Sequence, residues 1–404
     1  MIGWHRLGSE PRLLDPQTRT FSGSGTHAIG MDHACSAARE KEDSTLSRSP
    51  APTAARVAIL TPSASPSIGG NATTVARIAR SLRGRGVEVR VWNVSATPES
   101  AIVRQVVKFS PALIHAFHAF RTGPLAKRLA SRVEAPLLVT LTGTDANRDL
   151  LEPDAAPIVR RVLERATGIT VFRGSIAMKI IAIVPDVAPR ILVIPQSVVF
   201  EDAGDPWPPA GTIPRTSGPI LLFPAGIRKV KQPRFPLEPI ERLLPRYPPL
   251  ALLYVGPIIE REEADELFWR LGSRPWARHV GTIAHNRMPQ LLESADVILN
   301  CSLSEGGMAN SVLEALAMGR AVLAADIDGN RSVIEDGVTG FLFGTPEEFA
   351  AKADRLLAEP ALRQRLGEAG REYLHARFPP AKEVEGYLAA YGRLVPKLRW
   401  GQRC

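Results

Sequence analysis

The chain has 404 residues, 45% hydrophobic and 23% charged, an ordinary globular composition with length enough for two domains. Its net charge is +9, yet it has 6% aromatic residues and no tight Lys/Arg block, which argues against nucleic acid as a partner. That leaves a nucleotide diphosphate ligand, or a weak peripheral contact with an anionic membrane surface, to account for the basic balance. No apolar run approaches about 18 residues, so no spanning helix is expected; Cys35, Cys301 and Cys404 show neither metal nor disulfide spacing, which points to a reduced, cytoplasmic protein.

Residues 1–54 are rich in Ser, Thr, Arg and Gly, lack periodicity and carry no apolar signal core. They are expected to form a disordered tail, dispensable for folding, with Met31 as an alternative start. From Arg56 onward, short apolar runs alternate with helical patterns. Strands are predicted at 57–60, 87–92, 112–117, 137–141, 169–172 and 191–194, with helices at 75–82, 101–109, 125–132, 158–166 and 176–183. Residues 201–218 are dense in Pro and Gly and read as a linker. The alternation restarts with strands at 220–224, 250–255, 279–282, 297–300 and 321–325, and closes with helices at 346–357, 361–377 and 381–394. This pattern predicts an α/β protein of two domains, 55–200 and 219–378, each with a parallel sheet covered on both faces, then a terminal segment at 379–404.

The stretch from Asn300 to Phe343 carries the most chemistry. An apolar run, Ala295–Leu299, ends in a polar turn holding Glu305, Gly306 and Gly307. Met308, Val312, Leu313, Leu316 and Ala317 then recur at helical spacing, with Glu314 in the helix, Gly319 closing it and Ala321–Ala325 as the next strand. Two glycines let backbone N–H groups approach a ligand closely, and a helix N-terminus suits a diphosphate. Carboxylates repel phosphate, so sugar hydroxyls are the obvious partners of Glu305 and Glu314; a solvated Glu pair around a helix start fits the same spacing.

This stretch resembles the signature of retaining glycosyltransferases of family 4, also called group 1. The resemblance implies the GT-B fold: two Rossmann-like domains facing a cleft, with the last helix crossing back to the first domain. It implies a nucleotide-sugar donor, UDP-linked, on the second domain, with Glu305 on the donor sugar, Glu314 on the ribose, and Gly306, Gly307 and Met308 along the donor. In the family two glutamates flank seven residues. Here eight lie between them; an extra residue inside the helix would rotate Glu314 by about 100°, so it is expected in the glycine turn. The resemblance spans residues 56–396. The runs T-L-T-G-T-D-A-N-R-D-L, G-I-R-K-V-K-Q-P and D-I-D-G-N-R-S look closest to the branch of glycosyltransferase 1 domain-containing proteins. Some likeness to selenosugar synthases makes a selenosugar- or thiosugar-forming activity one alternative.

Four further constellations complete the expected site. Arg228 and Lys231 follow the first strand of the second domain, where cations can neutralise a departing diphosphate; the resemblance assigns them that role, and a solvated basic turn is the plain reading. His115 and His118, three apart on one strand, point to opposite faces, which excludes a shared metal. The resemblance places a histidine near the sugar, and His118 lies nearer the strand end; His115 is taken to the acceptor side. Gly69 and Gly70 precede the first helix, where the resemblance brings a glycine pair near the donor phosphates, and Asn71 is the N-cap on the plain reading. Thr144 and Asp145 sit at a strand end and suit acceptor hydroxyls. Asp326-Ile327-Asp328 mimics a metal-binding aspartate pair and is read as coincidence. No metal or other cofactor is expected, and oligomeric state is left open. A nucleotide-sugar 2-epimerase-like isomerase and a non-catalytic nucleotide-sugar-binding protein are the competing classes.

Overall fold

The computed structural model describes residues 55–63, 69–200 and 218–401. The tail expected at 1–54 and nearly all of the linker expected at 201–218 lie outside the described residues, as do Cys35 and Cys404.

The first half runs β1 (Arg56–Thr61), α1 (Gly70–Gly84), β2 (Glu88–Asn93), α2 (Glu99–Phe109), β3 (Leu113–Phe117), α3 (Gly123–Arg132), β4 (Leu137–Thr140), α4 (Ala156–Arg165), β5 (Gly168–Val171), α5 (Gly174–Ile183) and β6 (Ile191–Val193). The second runs β7 (Ile220–Pro224), α6 (Leu237–Glu241), β8 (Ala251–Val255), α7 (Arg261–Leu271), β9 (Ala277–His279), α8 (Met288–Glu293), β10 (Val297–Asn300), α9 (Asn310–Ala317), β11 (Ala321–Ala325), α10 (Asp328–Arg331) and β12 (Phe341–Phe343). Three helices follow: α11 (Pro346–Ala358), α12 (Pro360–Arg377) and α13 (Pro380–Leu394).

Each half contains one parallel six-stranded sheet, ordered β2-β1-β3-β4-β5-β6 and β12-β11-β10-β7-β8-β9. Strands such as β3, β7 and β10 are buried along their whole length, which is why they read as unbroken apolar runs rather than alternating ones. Helices cover both faces, giving two apolar layers on each sheet. The helix α4 shows the matching pattern: Val159, Val162 and Leu163 face inward while Arg160, Arg161 and Arg165 face solvent. Strand order reverses between β1 and β3 in one sheet and between β7 and β10 in the other, so each sheet opens a crevice at those strand ends.

The last helix, α13, leaves the second half and packs on the first. Its Val384, Tyr387, Ala390 and Tyr391 join Val57, Ile59, Leu113, Phe117 and Leu138 in one apolar layer. Beside them Arg77 of α1 makes a two-pronged pair with Glu383, at 2.8 and 2.9 Å, and Ser197 donates to the same carboxylate at 2.6 Å. Burial pulls the Arg77 guanidinium down, but Glu383 outweighs it and leaves it raised.

Two local expectations are corrected and one strand is added. The strand expected at 279–282 lies at 277–279, because Gly281 takes φ +87° and ends it. Phe341–Phe343 forms a sheet-edge strand too short to stand out in the sequence. The N-cap of α1 is Gly69, and Asn71 lies inside the helix.

The Arg77–Glu383 pair is inaccessible, so removing one partner strands a charge. Glu383→Ala is expected to lower unfolding free energy by about 3–5 kcal/mol in denaturant titrations, and the double change Arg77→Met, Glu383→Leu to recover most of that loss. A loss under about 1 kcal/mol in the single variant would show that water reaches the pair.

Candidate active site

The second sheet's crevice brings together two segments far apart in sequence. The strand β7 ends at Pro224 and the chain turns through Arg228 into a short 3-10 turn, Lys229–Lys231. The strand β10 ends at Asn300 and leads into the Glu305 turn. Lys231 Nζ lies 2.5 Å from Glu305 Oε1, which also accepts from Ser302 Oγ at 2.7 Å and Asn300 Nδ2 at 3.1 Å. The Glu305 side chain is 11% exposed. Burial pushes its carboxyl up, but Lys231 and the two neutral donors outweigh burial and hold it below the usual carboxylate range. Arg228 Nε is buried beside this turn with no hydrogen-bond partner among the described residues.

The helix α9 begins at Asn310 and runs unbroken to Ala317, so the extra residue between the two glutamates is taken up before the helix. Glu314 is buried and its Oε1 lies 2.9 Å from His285 Nε2. The His285 ring stacks against Phe200 at 6.4 Å. The glycine turn itself meets the first half. A Cβ on Gly306 would fall 1.6 Å from Gly143 Cα, and one on Gly307 would strike Gln196 and Phe172. Both glycines are therefore required by close packing across the cleft. Met308, buried, donates its N–H to Gln196 Oε1 at 2.9 Å, and Gln196 Nε2 reaches Thr74 and Asn310. Asn310 Nδ2 in turn donates to Gly70 O at 3.1 Å, which places Gly70 against the turn; Gly69 faces open space.

On the first-half side, His118 ends β3 at the other sheet's crevice, with φ +80°, an uncommon value for a side chain this large. Its Nδ1 accepts from the Arg121 N–H, so Nε2 carries the proton and donates to Thr144 Oγ1 at 2.9 Å. Two expected acceptor residues are otherwise engaged. Asp145 accepts from the N–H groups of Ala119, Thr142 and Gly143 and is fully buried; it holds the turn and does not present a carboxylate to an acceptor. His115 is also fully buried, between Tyr391 Oη at 2.9 Å and Thr140 Oγ1 at 2.7 Å, and burial pushes it down to about 3. It is a neutral core residue that ties β3 to α13.

The structure adds residues the sequence reading did not single out. Asp149 lies 3.9 Å from His118 Nε2, buried, with Oδ2 lacking a hydrogen-bond partner among the described residues. It follows Asp145 by one helical turn, a spacing that was there to be read. Arg173, Asn147, Gln196 and His285 reach the Glu305–Glu314 segment from more than twenty residues away and carried no local signal. Asp326 pairs with Arg331, whereas Asp328 pairs with Arg173, so the two aspartates face different cations. Among the described residues no cluster of three or more His, Cys, Asp or Glu is placed to hold a metal.

Lys231→Met leaves the Glu305 carboxylate buried without its counter-ion. In the native protein the lowered pKa contributes stability above the ordinary carboxylate range, lost as pH falls through the depressed value. The variant loses the Lys231 charge, so burial, which raises the pKa, is opposed only by Ser302 and Asn300. The stability gap between the two proteins is therefore expected to be widest near pH ~8, about 3–5 kcal/mol in denaturant titrations, and to narrow as pH falls through and below the ordinary carboxylate range. A gap that does not vary with pH would sink the assigned pairing.

Residues 218–359 match the family described as glycosyl transferases group 1. Glycosyltransferase 1 domain-containing protein 1 of Xenopus tropicalis is 27% identical over 327 residues, covering 79% of this chain and 92% of that one. The alpha-D-kanosaminyltransferase of Streptomyces kanamyceticus is 30% identical over 154 residues, 37% of this chain and 39% of that enzyme. Among solved structures, HepE of Anabaena in complex with UDP and glucose superposes with a TM-score of 0.68 at 16% identity, over 84% of this chain and 99% of that one. Sucrose-phosphate synthase of Thermosynechococcus elongatus gives 0.68 at 17% identity, over 85% and 99%. These two likenesses carry the fold. Residues 218–359 thus resemble the group 1 glycosyltransferases, and the fold around them is GT-B.

Proposed function

We propose that the chain is a retaining glycosyltransferase that takes a nucleotide-sugar donor, UDP-linked, in the second half's crevice and uses no metal. The observation that carries this reading is the Lys231–Glu305 pair at the sheet's switch point, beside the unpartnered Arg228 Nε. The Arg228 Nε–H is buried without an acceptor among the described residues and favours one, and a diphosphate is the anion that donors of the resembling family bring. HepE, solved with UDP and with UDP-glucose, supports the choice of base.

In this reading Arg228 and Lys231 take the diphosphate. Glu305 accepts from donor-sugar hydroxyls, and Glu314, oriented by His285, accepts from the ribose. Donor binding releases the Met308 amide from Gln196, and the Gly306–Gly307 amides line the phosphates. The C1–O bond to the diphosphate breaks as the acceptor oxygen attacks from the same face, and the acceptor proton passes to the departing phosphate oxygen. The cations stabilise the charge that grows on the leaving group. His118 and Thr144 line the first-half side, with Gly70 at the rim. The full engagement of Asp145 by backbone N–H groups supports the absence of a general base there. The expected weak contact with an anionic surface falls to the first half: residues 55–200 hold nineteen Lys and Arg against nine Asp and Glu, whereas residues 218–401 hold twenty-three of each.

Two measurements test this. UDP-, GDP- and ADP-sugars are screened by thermal stabilisation, and UDP titrated into variants: Glu314→Ala should weaken UDP binding about ten-fold or more through loss of charge-assisted hydrogen bonds, and Glu293→Ala should change it little. Equal weakening would remove the ribose assignment. The second is stereochemical. NMR of the freshly formed linkage, or of freshly hydrolysed sugar, is expected to show an alpha product from an alpha-linked donor. A beta product would overturn the same-face mechanism and direct attention to the His118–Asp149 pair as general base.

A further inference from the structure

Arg173 follows β5 and opens α5, in the half opposite the proposed donor site, and is 8% exposed. Its Nη2 donates to the backbone carbonyl of Glu305 at 2.9 Å, and its Nη1 lies 3.0 Å from Asp328 Oδ2. Ser175 Oγ donates to the same Asp328 oxygen at 2.8 Å. Asn147 Nδ2 also reaches the Glu305 carbonyl, at 3.2 Å, and Lys179 Nζ holds the other end of that amide at 3.1 Å. Gly329 makes room: a Cβ there would lie 2.5 Å from Glu305 Cβ and 3.3 Å from Arg173 Nη1. Glu305 is thus gripped twice, at its carboxylate by the second half and at its carbonyl by the first.

The geometry points to Arg173 as a positioning residue that acts through the 305–306 peptide. That carbonyl and the Gly306 N–H belong to one planar trans unit, so fixing the oxygen fixes the direction of the amide. Burying a guanidinium against a carboxylate that is itself 60% exposed is a poor way to gain stability. As a means of aiming an amide it is effective, because a charged donor makes the stronger hydrogen bond. Since Arg173 comes from the first half, the glycine turn is set only when the two halves meet. The Asp-Ile-Asp run finds a role here: Asp328 is the counter-ion that orients Arg173. The inference rests on the turn being the donor site, as proposed above.

The test is amide hydrogen exchange at Gly306 and Gly307 in nucleotide-free protein, followed by UDP titration, in the native chain, Arg173→Lys, Arg173→Ala and Asp328→Asn. Exchange at the two glycines should rise about ten-fold or more in Arg173→Ala, with exchange in α1 and α13 unchanged, and UDP binding should weaken about ten-fold. Arg173→Lys and Asp328→Asn should fall between. Asp328 is exposed, so its variant keeps the test alive if Arg173→Ala does not fold. Unchanged exchange at the turn, or exchange accelerated equally in α1 and α13, would overturn the inference. If the native chain binds no UDP, the proposed function fails, while the nucleotide-free exchange still decides the role of Arg173.

Discussion

A carboxylate and an ammonium group held 2.5 Å apart at the switch point of a parallel sheet set the terms for the rest of the second half. Neither Lys231 nor Glu305 tolerates burial alone. Strands β7 and β10 are neighbours in the sheet although some seventy residues separate Lys231 from Glu305, so the pair exists only because the strand order reverses there. Ser302 and Asn300 complete the carboxylate's hydrogen bonds from the same loop. The result is a charge pair satisfied by its surroundings, whereas Arg228, three residues before Lys231, has a buried Nε with no hydrogen-bond partner among the described residues.

The two halves meet mainly through polar side chains and bare backbone. Gly143 against Gly306, Gln196 on the Met308 amide, Asn310 on Gly70 and Arg173 on the Glu305 carbonyl all cross the cleft. Such contacts are individually worth little because water replaces each of them. The apolar crossing is elsewhere, in α13, whose tyrosines and Val384 pack on the first sheet beside the Arg77–Glu383 pair. The apolar and the polar contacts between the halves are thus separate in place: α13 carries the first and the cleft the second.

Much of the fold was legible because buried parallel strands leave continuous apolar runs and their helices leave a 3.6-residue rhythm. β7, β10 and β11 were read with the boundaries they have. What failed was short or broken by backbone conformation, such as β9 ahead of Gly281 and the three-residue β12. In the site, the residues at strand ends were readable by position: Arg228, Lys231, Glu305 and His118 all lie at such ends. Asp145 also lay there and His115 lies in the middle of β3, and position alone cannot tell a side chain that faces the cleft from one tied to backbone N–H groups or to a distant tyrosine. Arg173 and Gln196 were invisible for another reason. Their partners lie over a hundred residues away, and no local pattern encodes a contact between domains.

The glycine pair shows how the sequence reading and the structure divide one observation. Gly306 and Gly307 were read as making room for a phosphate, and the structure gives them a nearer neighbour in Gly143, Phe172 and Gln196. The two explanations are compatible, because the absence of a Cβ serves either kind of close neighbour. They differ in what holds the turn before ligand arrives. Gly143, at φ +148°, lies in a conformation that side chains rarely adopt, and it faces Gly306 backbone to backbone. The turn is thus shaped by the opposite half, through contacts the second half cannot make alone.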